Sequence, residues 1–209
     1  MTMIVIGLVG KVGAGKSTVA RMLADRGATV LDADLLAHES LTEPAVIAAI
    51  IERFGDDVLD GGGRVKRSAL AEIVFAAGEA AAANLRALEA IVHPRVRERL
   101  KEAVDVVRRE GRSAGHPAVV VLDVPLLMQA GWGDLCDRIV MVECEESVRR
   151  ARLVARGWPA GQIAARDGAW ERGYVPPRPG PTTFRVDASA DPAYTQTQVD
   201  RIWETLGGN

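Results

Sequence analysis

The sequence predicts an α/β protein with about five parallel strands, and three observations support this prediction. Short apolar runs rich in β-branched residues occur at 3–9, 28–31, 118–122, 138–142 and 182–186. Stretches with helical periodicity lie between them, including a long region rich in Ala, Leu, Glu and Arg from 35 to 111. The first strand, loop, helix and strand follow one another as a βαβ unit, which requires parallel pairing of its two strands.

The first run, residues 3–9, is continuously apolar, as expected of a strand buried on both faces. The helix after it begins near Lys16, has Val19, Met22 and Leu23 on one face, and is closed by Gly27. Residues 28–31 are the second strand, which ends at an acidic Asp32-Ala33-Asp34 segment.

Two interruptions divide the long helical region. Asp60-Gly61-Gly62-Gly63 predicts a loop, and at His93-Pro94 we expect a new helix to begin with Pro94 in its first turn. Further along, 145–156 is helical and 174–181 must be a loop, because it contains four prolines. We therefore predict a single domain over 1–209 with a helical insertion at about 60–110, a mobile segment at about 145–181 and a closing helix at 192–206.

Composition excludes several functions. The formal net charge of −2 provides no general basic field for nucleic acid. No run reaches the roughly 18 apolar residues of a membrane span, and the apolar N-terminus lacks the basic flank of a signal peptide. We therefore expect a soluble, cytoplasmic protein. Cys136 and Cys144 have no metal-ligand or CxxC spacing and are predicted to be inert core thiols.

The loop after the first strand carries the strongest motif. Gly10-Lys11-Val12-Gly13-Ala14-Gly15-Lys16-Ser17 satisfies G-x-x-x-x-G-K-[ST], in which glycines let successive N–H groups turn toward phosphate oxygens. In this motif the lysine reaches the β- and γ-phosphates and the serine hydroxyl ligates Mg²⁺. An accidental Gly-rich turn is the alternative, but here a buried strand precedes the loop and an amphipathic helix follows it. The sequence thus predicts the three-layer fold of P-loop NTPases, binding ATP and Mg²⁺.

An acidic residue is expected at the end of a neighbouring strand, where it assists the metal. Asp123, directly after the apolar run 118–122, is the candidate metal ligand beside Ser17. Turn formation at the strand end is the alternative role for Asp123. The chain carries no Asn/Thr-Lys-x-Asp guanine-binding signature, which favours a small kinase over a GTPase.

Further motifs resemble the dephospho-CoA kinase family over most of the chain. The segment from Gly7 through Thr18 is similar to the family's phosphate loop, and Asp32-Ala33-Asp34 to its acidic segment. Other matching motifs are Arg67 with Leu70 and Ile73-Val74-Phe75, Leu88-Glu89-Ala90-Ile91-Val92-His93-Pro94, Val124-Pro125-Leu126-Leu127, and Arg152-Leu153 with Arg156. The resemblance implies ATP-dependent phosphorylation of the ribose 3′-hydroxyl of dephospho-CoA, with a helical acceptor-binding insertion and a lid at about 145–181.

The resemblance also implies roles for individual residues. Asp34 would be the catalytic base, although a first-turn carboxylate can also cap its helix. Lys16, Arg152 and Arg156 would offset charge on the transferring phosphoryl group. ATP binding would involve Gly10, Gly13, Ala14, Gly15, Lys16, Ser17 and Thr18, and acceptor binding would involve Asp32, Asp34, Arg67 and His93. For His93 a structural role beside Pro94 remains the alternative, and for Asp32 contact with a metal-bound water and a purely structural role are the alternatives. Arg149 and Arg150 are expected to be exposed.

Departures from the family pattern concentrate toward the C-terminus. Gln129 stands where the family usually has Glu, Ala188 where it has Asn, and His38 where it often has Arg. The lid lacks the family's Gln, basic stretch and Ala-Asp pair, and runs through Trp170 into 174–181. The tryptophans are predicted to pack, with stacking of Trp158 or Trp170 on a base as the alternative. Another small-molecule kinase and a regulatory paralogue that has lost transfer therefore stay open, as does the choice between monomer and weak homo-oligomer.

Overall fold

A five-stranded parallel sheet lies at the centre of the fold. The computed structural model describes residues 3–74, 79–111, 118–172, 174, 176–177 and 182–207. The strands are β1 (Ile4–Val9), β2 (Thr29–Asp32), β3 (Val119–Asp123), β4 (Arg138–Glu143) and β5 (Thr183–Asp187). Their order is β2-β3-β1-β4-β5 and every neighbouring pair is parallel, which confirms the predicted fold class.

Eight helices of eight or more residues occur in the described part of the chain. They are α1 (Lys16–Ala24), α2 (Ala33–Ser40), α3 (Pro44–Phe54), α4 (Arg67–Val74), α5 (Glu79–Gly111), α6 (Glu146–Ala155), α7 (Ala160–Glu171) and α8 (Pro192–Thr205). Two short 3₁₀ turns are Asp56–Val58 and Gly133–Leu135. Among the described residues, no helix has the length and apolar character needed to cross a membrane.

The chain divides into two compact units. The first unit comprises Met1–Asp32 and Ala103–Asn209, and the second comprises Ala33–Glu102. In the first unit, apolar side chains of the sheet pack with α1 and α8, and Leu23, Val199 and Trp203 are buried in this core. The strand register pairs Asp123 with Leu8 on one side and with Asp32 on the other. Three strand ends therefore meet at one edge of the sheet.

The second unit is helical and has its own core. Val46, Ile50, Val58, Leu70 and Val74 form its buried centre. The turn predicted at Asp60 is present, since the Asp60 carboxylate accepts hydrogen bonds from the Gly62 and Arg64 amides at 2.9 and 3.0 Å. The insertion predicted at about 60–110 lies largely within this unit, and the single domain over 1–209 stays a prediction.

The predicted helix break at His93-Pro94 is wrong. Helix α5 runs from Glu79 to Gly111 with Pro94 in its interior. Proline inside a helix removes one backbone hydrogen bond and costs about 3 kcal/mol. Here Pro94 lies on the exposed face, while Val92, Val96 and Leu100 are buried on the other face, one turn apart. Burial of these side chains outweighs the local cost and carries the helix through the proline.

Several predicted features fall partly on residues that the structure does not describe. In the Pro-rich segment, Tyr174, Pro176 and Pro177 are described, whereas Val175 and 178–181 lie outside the described residues. Phe75, the last residue of the motif that begins at Arg67, also lies outside them.

Candidate functional site

The phosphate loop connects β1 to α1 and is held close to the sheet. Gly13 and Gly15 have φ values of 80° and 115°, which L side chains rarely adopt. A Cβ atom at Gly10 would collide with the Val142 carbonyl oxygen. Among the described residues, no side chain caps the start of α1 at Gly15. The loop therefore presents the positive end of α1 in the geometry that suits an anion.

Lys16 lies across this loop. Its Nζ donates a hydrogen bond to the Gly10 carbonyl at 2.8 Å and another to the Lys11 carbonyl at 3.5 Å. Ala14 is buried beneath the loop, and its amide donates to the Lys11 carbonyl at 3.1 Å. The half-buried Thr18 lies in the first turn of α1, where its amide donates to the Gly15 carbonyl at 3.0 Å. The structure thus brings together all seven residues predicted to bind nucleotide.

Oxygen ligands suited to Mg²⁺ meet beside the loop. The Ser17 hydroxyl donates to the Asp123 carboxylate at 3.5 Å, and Asp32 lies opposite Asp123 in the register of β2 and β3. Magnesium usually retains several waters and takes only one or two protein oxygens, so this donor set fits it. No group of three or more His, Cys, Asp or Glu side chains suited to a metal occurs in the described part of the chain. Any metal here would thus depend on Ser17, on the carboxylates and on the nucleotide phosphates.

Helix α6 packs against the loop. Arg152 donates to the Ala188 carbonyl at 2.7 Å, and one of its terminal nitrogens lies 3.9 Å from where a Cβ atom of Gly15 would be. Its guanidinium is therefore beside the phosphate loop. Arg156 is the C-terminal cap of α6 and is exposed. The structure places one predicted lid arginine at the loop and the other at the exposed end of the same helix.

The expectation that Arg149 is exposed is wrong. Its side chain is only 1% exposed and donates to the Val12 carbonyl of the phosphate loop at 2.9 Å. Arg150, the next residue, is 59% exposed, as predicted. A signal was available in the sequence, because Arg149 lies one helical turn before the apolar Leu153 and hence on the same face of α6. Because Arg150 and Arg152 are close to Arg149 in the sequence, this helical spacing of Arg149 and Leu153 is difficult to recognise.

A cavity of about 300 Å³ adjoins the loop in the first unit. Gly10, Lys11, Trp170 and Tyr174 contribute to its lining, and the two aromatic rings lie 4.6 Å apart at an interplanar angle of 30°. Burial raises the pKa of the Tyr174 phenol above its ordinary value. Gln129 donates to the Trp170 carbonyl at 2.7 Å. Two of the departures from the family pattern are therefore in contact with each other.

The cysteines are both free. Burial raises the pKa of the Cys136 thiol to about 12, so it is protonated at neutral pH. The Cys144 sulfur accepts from Arg152 at 3.4 Å. Neither cysteine lies in a group of metal-ligating side chains within the described residues.

The second unit carries the predicted acceptor-side residues on three different helices. Asp34 is in the first turn of α2, Arg67 is the first residue of α4, and His93 lies in α5. All three are exposed. A cleft of about 830 Å³ in this unit is lined by several charged side chains: Glu43, Arg95, Arg97, Glu98 and Lys101. Within this cleft Arg95 pairs with Glu98 at 2.7 Å and with Glu43.

Comparison with known proteins identifies the family. The model of the dephospho-CoA kinase family matches residues 4–167. A dephospho-CoA kinase of Thermobifida fusca is 38% identical over 207 residues, which covers 98% of this chain and 96% of the relative. A dephospho-CoA kinase of Symbiobacterium thermophilum is 44% identical over 153 residues, covering 73% of this chain and 60% of the relative.

A solved structure has a similar fold. A crystal structure of a Thermus thermophilus protein superposes with a TM-score of 0.71 at 29% sequence identity, covering 97% of this chain and 96% of that one. The family model covers well over half of this chain, and the Thermobifida relative extends across nearly all of it. The chain therefore belongs to the dephospho-CoA kinase family.

Proposed function

We propose that this chain transfers the γ-phosphoryl group of ATP to the ribose 3′-hydroxyl of dephospho-CoA, forming coenzyme A and ADP. The observation that carries the proposal is the complete phosphate loop with the Ser17 hydroxyl 3.5 Å from the Asp123 carboxylate, in a chain of this family. The transfer forms a bond from the 3′-oxygen to the γ-phosphorus. The bond from that phosphorus to the bridging oxygen breaks, and ADP leaves with the electron pair.

The residues of the first unit would bind ATP and offset its charge. The loop amides and the start of α1 would hold the phosphates, with Lys16 moving from the Gly10 carbonyl to the β- and γ-phosphate oxygens. Arg152, already beside Gly15, would offset negative charge that spreads over the transferring group. Ser17 and Asp123 would hold Mg²⁺, which supplies further positive charge at the phosphate oxygens when bound.

A second group of residues would bind and activate the acceptor. Asp34 would accept the proton of the 3′-hydroxyl, since a carboxylate on a helix start beyond β2 can act as a general base. Asp32, Arg67 and His93 would contribute to acceptor binding, as the family motifs imply. The second-unit cleft contains Arg97 and Lys101, whose positive charges would suit the diphosphate of dephospho-CoA.

We further propose that the enzyme acts in the cytoplasm as a monomer or weak homo-oligomer. The absence of a membrane-spanning helix among the described residues is compatible with that location. Light scattering at low micromolar concentration should then give a mass near that of the 22.3 kDa chain, rising at most modestly with concentration. A constant dimer or trimer mass would contradict this part of the proposal.

A coupled ADP-release assay over a panel of acceptors tests the proposed reaction. The panel contains dephospho-CoA, adenosine, AMP and a hexose, and phosphorus NMR of the product locates the new phosphate. ADP release that requires dephospho-CoA, with the phosphate on the 3′-oxygen, is the expected result. Release with a different acceptor only would favour another small-molecule kinase. ATP binding without release for any acceptor would favour a regulatory paralogue.

A further inference from the structure

The side chain of Arg149 joins three parts of the first unit. One terminal nitrogen donates to the Val12 carbonyl at 2.9 Å, and the other donates to Asp167 in α7 at 2.7 Å. Its Nε and the second terminal nitrogen also donate to the two oxygens of Glu146, at 2.9 and 2.7 Å. The phosphate loop, α6 and α7 therefore meet at one guanidinium.

A buried cation is costly unless it is paired and hydrogen-bonded. Arg149 is 1% exposed, and Asp167 beside it is 13% exposed. Hydrogen bonds from Arg149 and Arg150 lower the pKa of Glu146 to about 2, so that carboxylate is ionised at neutral pH. Hydrogen bonds to Glu146 and Asp167 raise the pKa of Arg149 above its ordinary value. The two carboxylates thus compensate the buried charge of Arg149, and a fourth hydrogen bond of its guanidinium goes to the backbone of the loop.

The hydrogen bond to Val12 orients a specific peptide group. Because the peptide is planar and trans, its carbonyl and the N–H of the next residue point in opposite directions. Arg149 holds the Val12 carbonyl toward α6, and the Gly13 N–H therefore points away from α6. Leu153, one turn further along α6, occupies the space beside Gly13, where a Cβ atom would lie 2.8 Å from the Leu153 Cγ. Helix α6 thus contacts both residues of this peptide.

We propose that Arg149 is a positioning residue for ATP: it fixes the Val12–Gly13 peptide so that the Gly13 N–H is available to a phosphate oxygen. It acts through that peptide and not by contact with the nucleotide, because almost none of its side chain is exposed. Asp167 supports this role by tying α7 to the same guanidinium. The inference rests on the proposed function only in taking ATP as the ligand of the loop.

ATP affinity of the Arg149→Met variant tests this proposal, with Arg150→Met as the matched control. Both variants lose one arginine from neighbouring positions of α6 and both disturb Glu146, but only Arg149 contacts the loop. A hydrogen bond from a charged group contributes enough that Arg149→Met should weaken ATP binding by roughly 10- to 100-fold in titration calorimetry. Arg150→Met should stay within about twofold of the wild type.

Further measurements distinguish a positioning role of Arg149 in ATP binding from a contribution of Arg149 to the stability of the whole fold. For Arg149→Met, the KM for dephospho-CoA should remain within about twofold of the wild type while the KM for ATP rises with the Kd. Equal ATP affinities of the two variants, with only the melting temperature lowered in Arg149→Met, would overturn the proposal. Wild-type protein that binds ATP but phosphorylates no acceptor would overturn the proposed function and still leave this comparison of affinities decisive.

A second substitution covers the case in which Arg149→Met does not fold. Arg149→Lys keeps the charge, but a lysine ammonium cannot span Val12, Glu146 and Asp167 at once as the guanidinium does. We expect its ATP affinity to fall at least about fivefold while the fold is retained. An affinity within twofold of the wild type would overturn the proposal.

Discussion

At the scale of single residues, Lys16 and Asp34 have the most sharply defined proposed roles. The Lys16 amine donates to the Gly10 and Lys11 carbonyls of its own loop, so it lies within the loop that is proposed to bind the phosphates. Asp34 is in the first turn of α2, where the helix dipole stabilises an ionised carboxylate. Each residue can therefore be tested by a substitution that removes one charge.

Lys16→Ala should lower kcat by on the order of 10³-fold or more, because positive charge at the transferring phosphoryl group supplies much of the catalysis. Steady-state ADP release measures the loss. Lys11→Ala is the matched control, since Lys11 is in the same loop but its amine pairs with Glu171 at 3.3 Å. The control should lose far less activity. Near-normal turnover of a folded Lys16→Ala variant would contradict the proposed ATP-dependent transfer.

Asp34→Asn should reduce kcat by roughly 10²–10⁴-fold while ATP affinity is retained, the range for loss of a general base. Turnover and calorimetric ATP binding are both measured, with Asp57→Asn as a control for removing an exposed carboxylate from the second unit. A variant that melts at lower temperature yet turns over normally would show that Asp34 only stabilises the start of α2.

At the scale of elements, helix α6 and its C-terminal cap place four arginines in four different environments. Arg149 is buried against the phosphate loop, Arg150 is exposed, Arg152 lies beside Gly15, and Arg156 caps the exposed end. Helical geometry produces this division, because residues three and four apart share a face whereas adjacent residues do not. The same helix can therefore order the loop and also present a cation to solvent.

Closure over ATP should depend on the arginines more than on the Pro-rich segment. Arg156→Ala should lower kcat/KM for ATP strongly, since an arginine fork can clamp phosphate oxygens from the lid. Replacing Pro176 and Pro177 with Ala should change kcat/KM little if, as we predict, the Pro-rich segment serves only as a tether. Steady-state kinetics with varied ATP measures both, with Arg150→Ala as the control for loss of an exposed arginine. The opposite ranking would show that the lid is elsewhere.

At the scale of the whole molecule, ligand binding should stabilise the folded chain. A ligand that binds only the native state at 100 times its Kd adds about 2.7 kcal/mol to the free energy of unfolding. For a chain of this length that corresponds to a rise in melting temperature of roughly 5–10 °C. Differential scanning fluorimetry with Mg²⁺-ATP should show this rise, and dephospho-CoA should add to it. No rise with ATP at saturating concentration would contradict nucleotide binding.

Local patterns alone were enough to predict the five parallel strands, the phosphate loop, the strand before it and the helix after it. Continuous apolar runs such as β3 can be buried on both faces only in a covered parallel sheet, so their placement follows from the sequence. The loop residues from Gly10 to Ser17 are consecutive in the chain, and their geometry follows from glycine and a helix start. The residues proposed to bind nucleotide were chosen for the same reason, and their roles stay a prediction.

Three other features depended on the tertiary structure. Proline propensity predicted a break at Pro94, but burial of Val92 and Val96 on the opposite face keeps α5 continuous. The contact between Gln129 and the Trp170 backbone joins residues far apart in sequence. In the sequence Arg149 resembles a surface residue, but the fold places Val12 and Asp167 beside it as hydrogen-bond partners. An arginine is buried only where separate segments supply its partners, and only the folded chain brings those segments together.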